Sequence, residues 1–386
     1  MATEQALRRG LVKTLREQGC LRDGRVAAAF GSVPRHLFVP DQPLKDVYTN
    51  RAFVTKLHDG VPVSSSSEPA IMAIMLEQLE VKPGQRVLEI GAGTGYNAAL
   101  LADLAGASGQ VTTVDIDEEI AAAATKHLRQ AGMRNVDVIA GDGGYGHPAG
   151  APYDRIIATA GCWQIPQPWI DQLAEDGLLV LPFRLNGAHV SLAFRKQGQE
   201  LVSTRAAMCG FMPLRGAFGP AHTQLSVDGI RVAADVELGH ALRDSLARTL
   251  TQERPVRVSF PRTRDARNAP LYYLALQGKP LLNLFRSSTT WGLIPFGLAV
   301  SPRSVIALPW LRPQRGKLTL FGSDEALDYL RAALARWQAE GRPDLRQLRV
   351  RVRRTARPLG PLPRPGGGGR YRFRRGDHLY ELWFER

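Results

Sequence analysis

The feature that most constrains this chain is the stretch Gln85-Arg86-Val87-Leu88-Glu89-Ile90-Gly91-Ala92-Gly93-Thr94-Gly95-Tyr96-Asn97, followed by an alanine- and leucine-rich run to Leu104. An apolar strand passes through an acid into three glycines at alternate positions and then into a helix. Glycine is required in such a turn because it adopts positive φ and lets the backbone approach a ligand closely. The spacing differs from the G-x-G-x-x-G that holds a dinucleotide pyrophosphate. An acid two residues before the first glycine repels a pyrophosphate but accepts hydrogen bonds from a sugar or an amino acid. The ligand expected here is a phosphate-free nucleoside.

Downstream, the pattern is that of a doubly wound α/β sheet. Strands are expected at 86–90, 111–115, 136–140, 153–159, 177–182 and 188–195, with helices near 96–105, 117–131 and 166–174. Ligands of such sheets bind beyond the carboxyl ends of the strands. The first strand ends in Glu89, an acid at the pocket lip. The second ends in Asp115, whose carboxylate suits both ribose hydroxyls, and the third in Gly141-Asp142-Gly143, where an acceptor suits the adenine amino group. Three carboxylates at successive strand ends, in that order, point to S-adenosylmethionine. Ser66, Glu89, Gly91, Gly93, Thr94, Asp115, Ile116, Asp142 and Gly143 are the residues expected to line its site.

Before the glycine stretch, Leu7, Leu11 and Leu15 repeat with helical period, and Asp23 to Phe30 forms a second short helix. Pro34 and Pro40 bracket an extended connector. Residues 41–63 read as irregular, with a strand-like Ala52 to Lys56. Val63-Ser64-Ser65-Ser66-Ser67-Glu68-Pro69 reads as a serine loop whose last hydroxyl caps the helix from Ala70 to Leu79, with Pro69 in its first turn. Capping does not exclude ligand contact by the same hydroxyls.

Together these pieces resemble the protein-L-isoaspartate O-methyltransferases. The match is carried by Val33-Pro34-Arg35 with Phe38-Val39-Pro40, by Tyr48, by Ser67-Glu68-Pro69, and by Val87-Leu88-Glu89-Ile90-Gly91-x-Gly93-Thr94-Gly95-Tyr96. Gly141-Asp142-Gly143, Pro152-Tyr153-Asp154 with the Trp163 to Pro168 loop, and Phe211-Met212-Pro213-Leu214 extend it over roughly residues 5–218. The resemblance implies a class I methyltransferase (Rossmann-like) domain and methyl transfer from S-adenosylmethionine to a peptide carboxylate. It assigns the active-site serine to Ser67, as an orienting hydroxyl. The Thr-Ile that precedes this serine in the family is Ser65-Ser66 here. In that departure, and in its long C-terminal extension, the chain is similar to a subgroup that methylates an aspartate of ribosomally made, modified precursor peptides, giving aspartimide or isoaspartate. A general isoaspartyl repair enzyme is the alternative expectation, and an RNA-binding protein or nucleic-acid methyltransferase a third.

Residues 1–80 are accordingly expected to form a helical segment and serine loop of the catalytic domain, 81–218 the cofactor-binding core, and 219–386 a separate α+β domain. The charge supports a distinct last part: residues 1–220 hold 21 Lys+Arg against 22 Asp+Glu, and residues 221–386 hold 29 against 14. From Arg342 to Arg375 there are twelve arginines and one acid, Asp344. Leu271 to Leu311 reads as apolar strands and turns, Ala326 to Ala339 as a helix, 345–354 as an alternating strand, 358–369 as a linker and the last residues as a hairpin turning near Gly376-Asp377. The arginines suit an anionic partner. An acidic precursor peptide, already cyclised, is favoured, because arginine binds carboxylates through two parallel hydrogen bonds; nucleic acid is the less favoured partner.

Cys20, Cys162 and Cys209 are widely separated and the eight histidines lack ligand spacing, so no metal site is expected. The N-terminus shows no signal sequence and no apolar run is long enough to span a bilayer, which makes the cytoplasm the expected location.

Overall fold

A computed structural model describes residues 3–219, 223–227, 230–234, 240–257, 269–286, 296–301, 303–308, 317–366 and 369–385. The chain divides into one unit of Met1–Phe183 with Ser191–Gly219 and a second of Arg184–Val190 with Pro220–Arg386.

The first unit begins with α1 (Glu4–Glu17), α2 (Gly24–Ser32) and α3 (Leu44–Val47). Thr3 caps α1 and Asp23 caps α2, each side-chain oxygen accepting from backbone amides of the first turn. The Pro34–Pro40 segment is not an extended connector: Arg35–Phe38 is a turn of 3-10 helix, which buries Arg35 and Phe38. Next come β1 (Phe53–His58) and β2 (Val61–Ser66), an antiparallel pair in which Phe53 faces Ser66 and His58 faces Val61. Asp59-Gly60 makes the turn, both residues at positive φ. The serine run is thus largely a strand rather than a loop. Every second residue of it is buried, Pro62, Ser64 and Ser66.

Helix α4 (Pro69–Leu79) leads into the central sheet of β3 (Arg86–Ile90), β4 (Gln110–Asp115), β5 (Val136–Ala140), β6 (Tyr153–Ala158), β7 (Leu173–Leu185), β8 (Ala188–Gln197) and β9 (Glu200–Met208). Its strand order is β9-β8-β7-β6-β3-β4-β5, and β7, β6, β3, β4 and β5 run parallel. Helices α5 (Tyr96–Ala105), α6 (Glu118–Gln130) and α7 (Gln167–Gln172) connect the parallel strands. The chain leaves β3 toward β4 and β5, then returns to the other side of β3 as β6, so the order reverses beside the glycine turn. Crevices at such reversals are where open α/β sheets bind ligands. The core on which this rests includes Leu11, Leu15, Phe30, Met75, Leu79, Val87 and Leu100, all buried. Burying each such side chain contributes about 1.5–3 kcal/mol.

The second unit holds an antiparallel sheet and a smaller arginine-rich one. The first has the order β10 (Thr223–Val227), β11 (Ile230–Ala234), β13 (Leu281–Arg286), β14 (Phe296–Ser301), β15 (Ser304–Leu308), β16 (Lys317–Gly322) and β12 (Glu253–Arg257). It is accompanied by α8 (His240–Leu250), α9 (Ala269–Ala275) and α10 (Glu325–Ala339). Leu271 to Ala275, expected as strand, belongs to α9; an apolar run of five residues does not distinguish the two periods. Of the span expected to alternate strands and turns, 287–295, 302 and 309–311 lie outside the described residues. The arginine-rich sheet pairs β18 (Arg364–Gly366), β19 (Arg370–Arg375), β20 (His378–Phe384) and β17 (Leu348–Arg354), all antiparallel. The β19–β20 hairpin turns at Gly376-Asp377. Part of the stretch expected as a linker is strand β18, and 367–368 lie outside the described residues.

Candidate active site

Gly91, Gly93 and Gly95 all have positive φ, of 98°, 52° and 87°. A Cβ on Gly91 would lie 2.6 Å from Thr159 Oγ1, at the end of β6. Space above the turn is also limited: a Cβ on Gly93 would lie 3.4 Å from the Ser65 carbonyl oxygen, so β2 passes directly over the turn. The glycines therefore answer both to conformation and to close approach.

Glu89 is not at the lip. It is fully buried, with Oε1 accepting from Asn97 Nδ2 at 2.7 Å and Oε2 from the Thr113 hydroxyl at 2.7 Å. Burial pushes its carboxyl up to about 7, against the opposing effect of the two hydrogen bonds. It forms the floor under the glycine turn and fixes the first turn of α5 to β4.

Asp115, at the end of β4, is nearly buried. It accepts from the Gly93 amide through Oδ2 and from the Asp117 amide through Oδ1, both at 3.1 Å. A carboxylate offers about four acceptor positions, so two remain, enough for a pair of vicinal hydroxyls. Arg215 approaches the same group, its Nη2 lying 3.7 Å from Oδ1. Asp142, at the end of β5, accepts from the Gly144 amide and the Ala217 amide, both at 2.8 Å. Gly143 is buried, its carbonyl oxygen receiving the Trp169 indole N–H at 2.9 Å, and a Cβ there would collide with Ile90 Cγ2. Thr94 is nearly buried and Ile116 is exposed at the end of β4. The carboxyl ends of β3, β4, β5 and β6 lie side by side in the parallel sheet.

The serines are organised by Arg35, which the sequence offers only as part of the Val33-Pro34-Arg35 match and without a role, and by Asn50, which it does not single out. Arg35 has no exposed surface, and its guanidinium donates to four carbonyl oxygens, those of Val47 (2.8 Å), Thr49 (3.2 Å), Arg51 (2.9 Å) and Ser67 (2.9 Å). The Phe53 and Tyr96 rings lie against it, at 5.3 and 5.7 Å to their centroids. Burial lowers its basicity from the ordinary value. The cap of α4 also differs from expectation: Glu68 is the cap residue and provides no side-chain bond, while Asn50 Oδ1 accepts the Ala70 amide at 2.9 Å. The half-buried Ser67 is therefore not committed to the helix. Ser66 Oγ is buried without a hydrogen-bond partner, and so are Arg35 Nε and Tyr96 OH. An orphaned buried hydroxyl beside the glycine turn is what a polar ligand would satisfy.

Two cations close over the β4–α6 corner. Lys56 Nζ of β1 binds Asp117 at 2.8 Å and Glu119 at 2.7 Å, and Arg215 Nη1 lies 3.9 Å from Asp117. The hydrogen bonds from Lys56 hold the Asp117 carboxyl below its usual range. Asp117 also caps α6, accepting from the Glu119 and Ile120 amides.

The cradle, the vicinal acceptor pair on Asp115 and the orphaned Ser66 hydroxyl fit S-adenosylmethionine. Known proteins agree. The family profile "Protein-L-isoaspartate(D-aspartate) O-methyltransferase (PCMT)" matches residues 6–218. The protein-L-isoaspartate O-methyltransferase of Methanoregula boonei is 40% identical over 202 residues, 52% of this chain and 88% of that protein. The one of Methanopyrus kandleri is 39% identical over 219 residues, 55% of this chain and 92% of that protein. A relative of the same name from Thermotoga maritima is 36% identical over 197 residues, 50% of this chain and 62% of its own length. A solved protein-L-isoaspartate O-methyltransferase structure aligns with a TM-score of 0.54 and 26% identity, covering 89% of this chain and 96% of the other. That alignment reaches well beyond the catalytic unit, so the extension has a counterpart in an enzyme of that name. This chain belongs to the protein-L-isoaspartate O-methyltransferase family, and is an S-adenosylmethionine-dependent protein carboxyl O-methyltransferase.

Proposed function

We propose that this enzyme methylates isoaspartyl carboxylates in polypeptides without regard to one dedicated partner, as a repair activity within the cytoplasm. The observation that carries the reading is the extent of similarity: relatives of that name are matched over about nine-tenths of their length, and a solved structure of that name aligns with 89% of this chain, well past the catalytic unit. Bound S-adenosylmethionine supplies an electrophilic methyl group. The chain's own residues have a modest task, because a carboxylate with a pKa near 4 is already an anionic nucleophile at neutral pH and needs no strong base. Ser67 orients the acceptor oxygen by hydrogen bonding, held in place through its carbonyl by Arg35. Gly91, Gly93 and Thr94 form the wall at the methionine end, and Asp115 and Asp142 accept from the ribose and the adenine. Positioning and removal of water from the acceptor supply most of the rate. Once the methyl ester forms, the neighbouring amide nitrogen closes the aspartimide ring with methoxide as leaving group.

The test is methyl transfer to a short, neutral isoaspartyl peptide against its aspartyl isomer. Turnover of the isoaspartyl form alone is expected, and failure to use it would sink the reading.

A second reading is favoured by one observation, the arginine-rich sheet β17–β20: methylation of an aspartate in an acidic, modified precursor peptide. Mass addition of one methyl group to such a precursor, with no turnover of arbitrary isoaspartyl peptides, would replace the first reading with the second.

A further inference from the structure

The register of the arginine-rich sheet sorts its side chains onto two faces. Leu348, Val350, Val352, Tyr371, Phe373, Tyr380 and Leu382 share one face and are all buried. On the opposite face Arg349, Arg351 and Arg353 of β17 stand across from Trp383, Glu381 and Leu379 of β20, which in turn stand across from Arg370, Arg372 and Arg374 of β19. Two rows of three arginines thus flank one central carboxylate. Burial pushes Glu381 up, but the hydrogen bonds from Arg372 and the charges of Arg372, Arg370 and Arg353 outweigh it and hold the carboxyl below its ordinary value. Further out, Glu385 pairs with Arg349 and Asp377 lies 3.7 Å from Arg374, both acids being well exposed. The exposed Arg353 meets Glu381 only as a distant charge. Among the described residues, Arg370 and Arg372 therefore share one carboxylate, and Arg353 adds a further exposed cation beside them.

We propose that this face docks an acidic segment of the polypeptide substrate, an inference that rests on the reading of the enzyme as one acting on polypeptides. Two features favour a polypeptide over a nucleic acid. Trp383 is the aromatic side chain among these paired positions, and Arg370 already covers it at 5.0 Å, so no ring is free for base stacking. Arginines two residues apart on a strand repeat every 6.6–6.8 Å or so, the spacing of alternate side chains on an extended chain laid along them. Aspartates or glutamates at every second position of such a segment meet the outward Arg353 and, across the sheet, Arg370 and Arg372, two guanidinium groups that share the single carboxylate of Glu381.

The experiment uses the full chain and three fluorescent probes: a decapeptide with glutamate at every second position, its glutamine counterpart, and an oligouridylate of equal charge. The glutamate peptide should bind, the glutamine peptide should not, and the oligouridylate should bind more weakly than the glutamate peptide. Arg353→Glu should weaken the glutamate peptide by about tenfold. Arg331→Glu on α10, which changes net charge equally, should leave it within about twofold. Equal weakening by both variants, or tighter binding of oligouridylate, overturns the proposal; the latter result assigns the face to nucleic acid. Methyl transfer to a neutral isoaspartyl peptide is measured beside it. Turnover without binding of the glutamate peptide rejects the docking face and leaves the activity standing, and binding without any turnover does the reverse.

Discussion

The Arg35 guanidinium donates to the carbonyl oxygen of Ser67 at 2.9 Å, across 32 positions of sequence. The same cation holds the carbonyls of Val47, Thr49 and Arg51, so a single side chain ties the segment before β1 to the residue after β2. Replacing it by methionine leaves one buried and three partly buried acceptors without their donor, which should cost about 2–5 kcal/mol in unfolding free energy. Lysine should recover part of the stability but little of the activity, since one ammonium does not span four carbonyls. Denaturant melts and single-turnover rates on both variants check this. Full activity in the lysine variant would mean that Arg35 provides charge rather than geometry.

Ser67→Ala should lower the methyl-transfer rate by about tenfold or more, through loss of orientation, while affinity for S-adenosylmethionine stays near that of the wild type. Calorimetric titration with cofactor, set beside single-turnover kinetics, separates the two. An equal loss in both would assign Ser67 to the cofactor.

Glu89 predicts a pH dependence of stability. Its folded value of about 7 lies above the ordinary value of 4.5, so the folded state holds the proton more tightly than the unfolded state. The stabilisation this brings is complete below pH 4.5 and is lost as pH rises toward 7, amounting to about 3 kcal/mol at 1.36 kcal/mol per pKa unit. Glu89→Gln keeps the shape without the charge. The stability of Glu89→Gln relative to wild type should therefore rise between pH 4.5 and 7 and level off above. A difference that is flat with pH would show that Glu89 does not titrate in that window.

The Lys56 ion pairs with Asp117 and Glu119 fasten the β1–β2 hairpin to the start of α6, with β2 passing over Gly93. Lys56→Gln should speed release of S-adenosylhomocysteine by about two- to fivefold, and added salt should speed release from the wild type toward the rate of the variant. Stopped-flow displacement measures both. Release that is unchanged by salt and by the substitution would mean the hairpin does not gate the cofactor.

What was legible in the chain is what local chemistry decides. Gly91, Gly93 and Gly95 show their turn by spacing alone, and Asp115 and Asp142 follow from being the first acids after apolar strands. The arginine rows of β17 and β19 were visible as alternation, and the register was needed to show that they share a face with Glu381. The hairpin of β1 and β2 was missed because serine on both faces hides the alternation, although Asp59-Gly60 is a strong two-residue turn signal. The partners of Arg35, a residue named only as part of the family match, and of Asn50 are not legible for another reason. Arg35 meets carbonyls 12 to 32 residues away and Asn50 meets an amide 20 residues away, and backbone acceptors and donors have no identity in a sequence. The position of Glu89 under rather than beside the turn depends on Asn97 and Thr113 closing over it, a packing outcome that no spacing rule contains.

The amide of Ala217 reaches the carboxylate of Asp142, 75 residues earlier in the chain. The pocket wall on the side assigned to the adenine is therefore supplied by almost the last residues of the catalytic unit. A chain leaving the ribosome has all seven strands of the central sheet before it has this wall. On the proposed assignment of Asp142 to the adenine, a nascent chain that has released β9 from the ribosome but not yet residue 217 should have its sheet but hold its cofactor weakly.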